Sequence, residues 1–391
     1  MAITTKEEGV WSIDQVYAKQ NQGSIWDLSQ SLHSWGNAEV GALGQGGTSS
    51  DDRSSPVQIG SSTNWKRLNR GSHSKTVAVM NTSGVLYGWG RNQHGGFGNN
   101  SRSDSDVYSP VEMCDGATWA AFASWMEGFV ATKTDGTAWG WGESYYGEIG
   151  HNDNGHPAQK SSPVQIPGTT WGTTRDTVSA HKNGIQLIKT DGTLWMTGQN
   201  STGQLGQGNK TQYSSPVQIP GTTWAKTNIG GENFTAAIKT DGTLWMWGYN
   251  NYGQLGQSNT TDRESPVQVP GTTWRSVDGT YQSTLATKTD GTLWSWGYND
   301  RGRLGQNNTT NYSSPKQVGS GTDWSETIAI AAGNTASAAM KTDGTLWVWG
   351  WGNQGQLAQN NTINYSSPVQ VPGSWVDVTN DAESSLYGLK G

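Results

Sequence analysis

Six histidines are the side chains of this 391-residue chain best suited to metal ligation or proton transfer near neutral pH: His33, His73, His94, His151, His156 and His181. They are scattered along the sequence, and only His151 and His156 stand close, five apart in a Gly/Asn/Pro stretch that fits no metal-ligand spacing. Asp51-Asp52 and Asp104 with Asp106 lie in serine-rich stretches as oxygen donors for a weak Ca2+ site, but solvated turns explain them more simply. The Asn-x-Thr triplets at Asn259, Asn307 and Asn360 match glycosylation acceptors, a pattern that any Asn/Thr-rich turn produces by composition. No nucleophile–base pair and no phosphate-binding loop is present, so the sequence predicts a protein without catalytic residues, metal or cofactor. What remains is recognition chemistry. Tyr145, Tyr146, Tyr249, Tyr252, Tyr298, Arg301 and Trp351 all fall in short variable stretches between a Trp-Gly pair and a Gly-Gln-Leu-Gly-like run. Rigid aromatic and arginine side chains on short loops give large contact area at low entropic cost, the composition of binding surfaces. A second set of loops carries His73, Trp125-Met126-Glu127, Glu232-Asn233-Phe234 and Tyr281-Gln282, and Trp125 joins the candidates because it lies outside the repeated tryptophan positions.

The elements that position these residues are repeats. Trp-Gly occurs at Trp35, Trp89, Trp141, Trp247, Trp296 and Trp349, with Thr197-Gly198 at the fourth place, at spacings of 49 to 56 residues. Each pair is followed by Ser-Pro and then by another tryptophan: Trp65, Trp119, Trp171, Trp224, Trp274, Trp324 and Trp375. Ala286 to Gly297 reads as two extended runs joined at Asp290-Gly291, which predicts a hairpin with a type I′ turn. Alternation puts Trp294 and Trp296 on one face and Leu293 and Ser295 on the other. A sheet of about 50 residues cannot bury two apolar faces alone, so such units must stack, and closing the stack removes both ends. The sequence therefore predicts an all-β, seven-bladed β-propeller of four-stranded antiparallel blades. Ser31 to Gly36 matches the second half of a hairpin and Ser385 to Gly391 the first half, so pairing of the N- and C-terminal strands is expected to close the ring.

Composition agrees with this core. Hydrophobic residues are only 32%, but 54 glycines bring the sum to roughly the usual 45–50% share. With 22 Trp against 4 Phe, indole is the packing material. A net charge of −6 without any basic run argues against a nucleic-acid partner, which needs Lys and Arg against phosphate. Cys114, the single cysteine, excludes an internal disulfide framework. No signal peptide and no apolar span of about 20 residues is evident.

Residues 1–30 lie outside the repeats and are expected to form a docking segment ahead of the propeller at 31–391. Ser12 to Gln15 reads as a capping box with Trp11 and Val16 as a staple, leading a short helix whose face is Ile13, Val16, Tyr17 and Gln20. A helix of that length is marginal by itself and should dock on something.

Two resemblances follow from these residues. Gly248 to Gly256 and Gly297 to Gly305 resemble the Gly-x-Asn-x-x-Gly-Gln-Leu-Gly signature of the regulator of chromosome condensation repeat family. Ala331 to Ala338 is similar to its second signature, Ala-Ala-Gly-x-x-His-Ser, although Ala336, and in other blades Phe234 and Ser283, stand where the histidine would be. The resemblance implies a seven-bladed propeller over residues 31–391. Founding members exchange nucleotide on a small GTPase and touch chromatin through a basic tail, which this chain lacks. Other members are plain binding proteins, including bacterial inhibitors of enzymes. The run Glu8 to Tyr17 resembles the Gly-Val-Trp opening of bacteriophage virion proteins of tails and fibres. Together these readings predict a non-enzymatic virion component that docks by its N-terminal segment and contacts other virion proteins, a host-surface glycan or a host protein through its loops. The expected location is a virion if the chain is of phage origin and the cytoplasm otherwise. The alternatives are a bacterial protein-binding inhibitor or adaptor and, with nothing in the sequence to favour it, a GTPase exchange factor.

Overall fold

A computed structural model describes residues 29–46, 52–69, 75–153, 159–228, 231, 233–279, 282–325, 330–332, 335–380 and 384–391. These form seven four-stranded antiparallel sheets arranged as a propeller ring, numbered from blade 1 at the chain ends through blades 2 (65–112), 3 (121–166), 4 (178–218), 5 (224–268), 6 (274–317) and 7 (330–371). Blade 6 shows the plan: Trp274–Gly279, Ser283–Lys288, Leu293–Gly297 and Tyr312–Gln317 pair in chain order. Blade 1 is the exception. Its strands are Trp375–Asn380 and Ser385–Lys390 from the end of the chain, then Ser31–Gly36 and Arg53–Gln58 from the start. The seam pairs Ser31 with Lys390 and Gly36 with Ser385, so the two ends of the repeat array complete one sheet. The docking segment with Trp11, Ile13, Val16 and Tyr17 lies outside the described residues.

The Asp-Gly hairpins correct one expectation. A type I′ turn needs positive φ at both central residues, but of Asp290 and Gly291 only the glycine has it, at 78°. Gly291 N–H donates to Lys288 O and Lys288 N–H donates to Thr292 O, both at 3.0 Å. The loop is therefore three residues long, a turn closed by a left-handed glycine. The reason lies in the next two residues. Asp290 Oδ1 accepts from Thr292 N–H at 3.0 Å and Thr292 Oγ1 at 2.6 Å, and Thr292 Oγ1 in turn accepts from Trp294 Nε1 at 2.7 Å. The same Asp–Thr–Trp relay recurs at Asp135, Asp191, Asp241 and Asp343.

Tryptophans occupy three distinct layers. The Trp-Gly indoles are fully buried between blades, and each Nε1 donates to a carbonyl of the preceding blade's loop. Trp35 bonds Gln356 O, Trp89 Ala42 O, Trp141 Gly96 O, Trp247 Gln204 O, Trp296 Gln254 O and Trp349 Arg303 O, at 2.6 to 2.9 Å. At the fourth place Thr197 Oγ1 keeps the bond, to Glu148 O at 2.7 Å. The circle of inter-blade bonds is thus complete. The tryptophans after Ser-Pro are also buried, but their Nε1 atoms find no acceptor among the described residues. Six of the seven pack instead beside lysine, and Trp65 packs edge-on against Tyr87. Lys288 Nζ lies 4.6 Å from the Trp274 ring and 4.2 Å from Trp294, and Lys133, Lys189, Lys239 and Lys341 repeat this sandwich. A fully buried indole removes about 150–250 Å2 from water, on the order of 4–6 kcal/mol before entropy.

Candidate binding face

In blades 4, 5 and 6 the variable loop is held from inside by one asparagine. Asn250 is fully buried; its Nδ2 donates to Asn259 O at 3.1 Å and Thr261 O at 3.0 Å, and its Oδ1 accepts from Leu255 N–H at 2.9 Å. Asn200 and Asn299 repeat this clamp. Gln254 Oε1 adds a bond from Tyr252 N–H at 3.0 Å. A loop satisfied internally can spend its remaining side chains on the surface.

Five of the sequence-predicted residues come from three adjacent blades, and four of them meet in ring contacts across the blade boundaries. Tyr252 of blade 5 and Tyr298 of blade 6 are 4.6 Å apart between ring centroids. The Arg303 guanidinium lies 4.9 Å from the Tyr298 ring and 2.6 Å from Asp300 Oδ1. Arg301 lies 4.2 Å over the Trp351 ring of blade 7. All four are half-buried. Tyr249 is held differently, its hydroxyl accepting from Asn251 Nδ2 at 2.9 Å within its own loop.

Tyr145 and Tyr146 stand apart, on blade 3. Tyr145 is 38% exposed and packs edge-on against His94, with ring centroids 6.3 Å apart. His94 Nδ1 is 2.9 Å from Glu127 Oε2, and that bond raises the imidazole pKa above its ordinary value. Burial raises the carboxyl of Glu143 nearby. Glu148, almost wholly enclosed, is pushed up to about 8 by burial, although its Oε2 accepts from Tyr146 N–H at 2.8 Å. Together Tyr145 and Tyr146 line one wall of an open cleft of about 520 Å3, whose other walls come from blades 4 and 5.

Trp125 is placed otherwise than expected. It is completely buried, its ring lies against Gly128 across a tight turn, and its Nε1 donates to Glu143 O at 3.2 Å. Its departure from the tryptophan register reflects a shortened hairpin that folds the indole inward, so it offers no surface to a partner. His73, Glu232 and Tyr281 of the second loop set lie outside the described residues. Among the described residues no group of three or more His, Cys, Asp or Glu side chains is placed to hold a metal ion. No helix among them is long and apolar enough to cross a membrane.

Sequence reading missed Lys182, Asn183 and Gln199 in the cleft, and the ion pair between Arg175 and Asp377 at the ring centre. The only available signal was departure from the repeat: blade 4 carries Thr197 for tryptophan and His181 beside a two-residue turn.

Ring, loops and clamps define a class: a β-propeller whose framework is repeated and whose loop face varies from blade to blade. Residues 123–385 match the model of the RCC1-like domain, and the chain belongs to that family. It is 27% identical over 191 residues to the Ultraviolet-B receptor UVR8 of Arabidopsis thaliana, covering 48% of this chain and 41% of that protein. It is 25% identical over 187 residues to the Probable E3 ubiquitin-protein ligase HERC4 of Homo sapiens, covering 48% of this chain and 17% of that protein. The chain thus spans less than half the length of these relatives. Among solved structures, human WBSCR16 superposes with a TM-score of 0.78 at 18% identity over 92% of this chain and 98% of its own. Yeast RCC1 (Prp20), solved with Kap60, gives 0.79 at 16% identity over 100% and 95%. At such identity the likeness is one of fold.

Proposed function

We propose that the protein is a non-enzymatic recognition propeller that grips a macromolecular partner through the loop face. The strip of Tyr252, Tyr298, Arg301 and Trp351 is the observation that carries this reading. Aromatic and arginine side chains from three blades pair across the blade boundaries at 4.6 and 4.2 Å, and such residues dominate binding energetics when they are prepositioned. We place this function in a bacteriophage virion, with residues 1–30 docking on the particle and the loops facing neighbouring virion proteins or a host-surface protein or glycan. The Glu8 to Tyr17 run supports that placement.

Mass spectrometry of purified particles tests the location: the protein is expected at a fixed ratio to the major structural proteins, and its absence ends the virion reading. Capture of one stoichiometric cellular protein by the isolated chain would favour the inhibitor or adaptor reading instead. Arg301→Ala with Trp351→Ala tests the strip. The double variant is expected to weaken partner capture by at least about tenfold, the equivalent of 1.4 kcal/mol, with its melting temperature unchanged.

A further inference from the structure

The cleft shared by blades 3, 4 and 5 is separate from the aromatic strip, and its chemistry selects a ligand class. It lies over the one blade boundary where the repeat's indole is missing, Thr197 bonding Glu148 O in its place. Glu143 and Lys182 are the charged residues of its lining, one of each sign. A phosphate or nucleotide would find a single cation and meet a carboxylate. A hydrocarbon ligand would strip water from amides and hydroxyls without replacing their hydrogen bonds, which costs free energy at each group.

The remaining lining is uncharged, polar and fixed. Asn183 Nδ2 donates to Gln199 Oε1 at 2.6 Å. A primary amide has two donor hydrogens and an oxygen with two lone pairs. This bond therefore leaves each of the two amides with further capacity to donate and to accept. Thr202 Oγ1 is held between Gln204 Oε1 at 2.7 Å and Asn233 O at 2.9 Å. Tyr145, the most exposed tyrosine wall, and half-buried Tyr146 supply ring surface beside these groups. Ring surface next to fixed donors and acceptors matches one kind of molecule. A pyranose packs its C–H face on an aromatic ring, while each of its hydroxyls both donates and accepts. The volume of about 520 Å3 falls within the roughly 300–1,000 Å3 of small-ligand sites.

We propose that this cleft binds a short neutral oligosaccharide, with Tyr145 and Tyr146 packing against a sugar ring and Asn183 and Gln199 reading its hydroxyls. The proposal rests on reading the loop face as a recognition surface and assigns a ligand to a part of that face which the aromatic strip does not reach.

Saturation-transfer NMR on the full chain tests it with chitotriose, cellotriose and mannotriose as neutral probes, and with ATP and a neutral tripeptide as rivals. Transfer to at least one trisaccharide is expected, with affinity falling by about tenfold or more in Tyr146→Ala and in Asn183→Ala. Tryptophan fluorescence and melting temperature report whether each variant is folded, and a variant that fails this check is replaced by Tyr145→Ala or Gln199→Ala. Arg301→Ala should leave saccharide binding intact. No transfer to any trisaccharide, binding that survives loss of the cleft residues, or preference for ATP or the tripeptide overturns the proposal. Partner capture that still depends on Arg301 and Trp351 under those outcomes would leave the broader recognition reading standing, so the two fail separately.

Discussion

Arg175 and Asp377 are 202 residues apart in the chain, yet Arg175 Nη1 lies 2.8 Å from both carboxylate oxygens of Asp377. Arg175 leads into the first strand of blade 4 and Asp377 sits on the first strand of blade 1, three blades away around the ring. The pair therefore bridges blades that are not neighbours. Asp377 Oδ2 also accepts from Leu68 N–H of blade 2 at 3.0 Å, tying a third blade to the same carboxylate. Both side chains are buried.

Removing Asp377 takes both 2.8 Å contacts from the buried Arg175 guanidinium. Asp377→Ala is expected to cost about 3–5 kcal/mol, and the double change Arg175→Met with Asp377→Leu much less, because paired removal also removes the desolvation penalty. Urea denaturation of the two variants beside the wild type checks this, and equal losses in the single and double variants would contradict it.

The two buried indoles of blade 6 differ in one bond. Trp296 Nε1 donates to Gln254 O, whereas Trp274 Nε1 has no acceptor among the described residues. Replacement by phenylalanine removes similar volume at both sites, so Trp296→Phe should be the worse by about 1 kcal/mol, the net value of a hydrogen bond. Gln254 O keeps its bond from Thr284 Oγ1, which holds the difference at that level.

Glu148 stands where blades 5, 6 and 1 are served by Gln204, Gln254 and Gln356, each buried at the second place of the loop motif. Its carboxyl pKa rises from 4.5 to about 8 on folding. A raised pKa means that the folded state holds the proton more tightly, so the contribution to stability is complete below pH 4.5 and is lost as pH rises through 8. Glu148→Gln should raise the melting temperature at pH 8 relative to wild type by several degrees and narrow that gap at pH 4.5. Thermal melts across this range give the answer.

Ala358 adopts φ of 54° where five other blades have glycine against the next Trp-Gly indole: Gly44, Gly98, Gly206, Gly256 and Gly305. A Cβ in the left-handed region is strained. Ala358→Gly should therefore stabilise the protein by up to about 1 kcal/mol, the left-handed strain of roughly 1–2 kcal/mol less glycine's entropic cost of roughly 0.5–1, measured by chemical denaturation. A destabilised variant would show that Ala358's packing in the Trp35 cluster outweighs its strain.

Deleting residues 384–391 removes the strand that pairs with both Ser31–Gly36 and Trp375–Asn380. Blade 1 would lose its second strand and Tyr387, whose hydroxyl donates to Ala42 O at 2.8 Å. Cooperative unfolding of the ring at or below 37 °C is expected, and unchanged melting would refute closure through this seam.

Fold was legible in the sequence because it is written seven times over. The spacing of Trp-Gly, Ser-Pro and the following tryptophan gives blade number and strand order, and the split hairpin at the two ends gives the seam. Loop residues at fixed places in the repeat, such as Tyr252, Tyr298, Arg301 and Trp351, were legible for the same reason. Tertiary structure alone decided three things. It showed Trp125 turned inward, because a two-residue turn leaves no room for an exposed indole over Gly128. It replaced the expected type I′ turn, because Asp290 gains more from capping Thr292 than from a left-handed backbone. It also brought together the cleft walls and the Arg175–Asp377 pair, which share no spacing. Repetition reports contacts made the same way in every blade; contacts made once, across blades far apart in the chain, leave no period to read and exist only when the ring has closed.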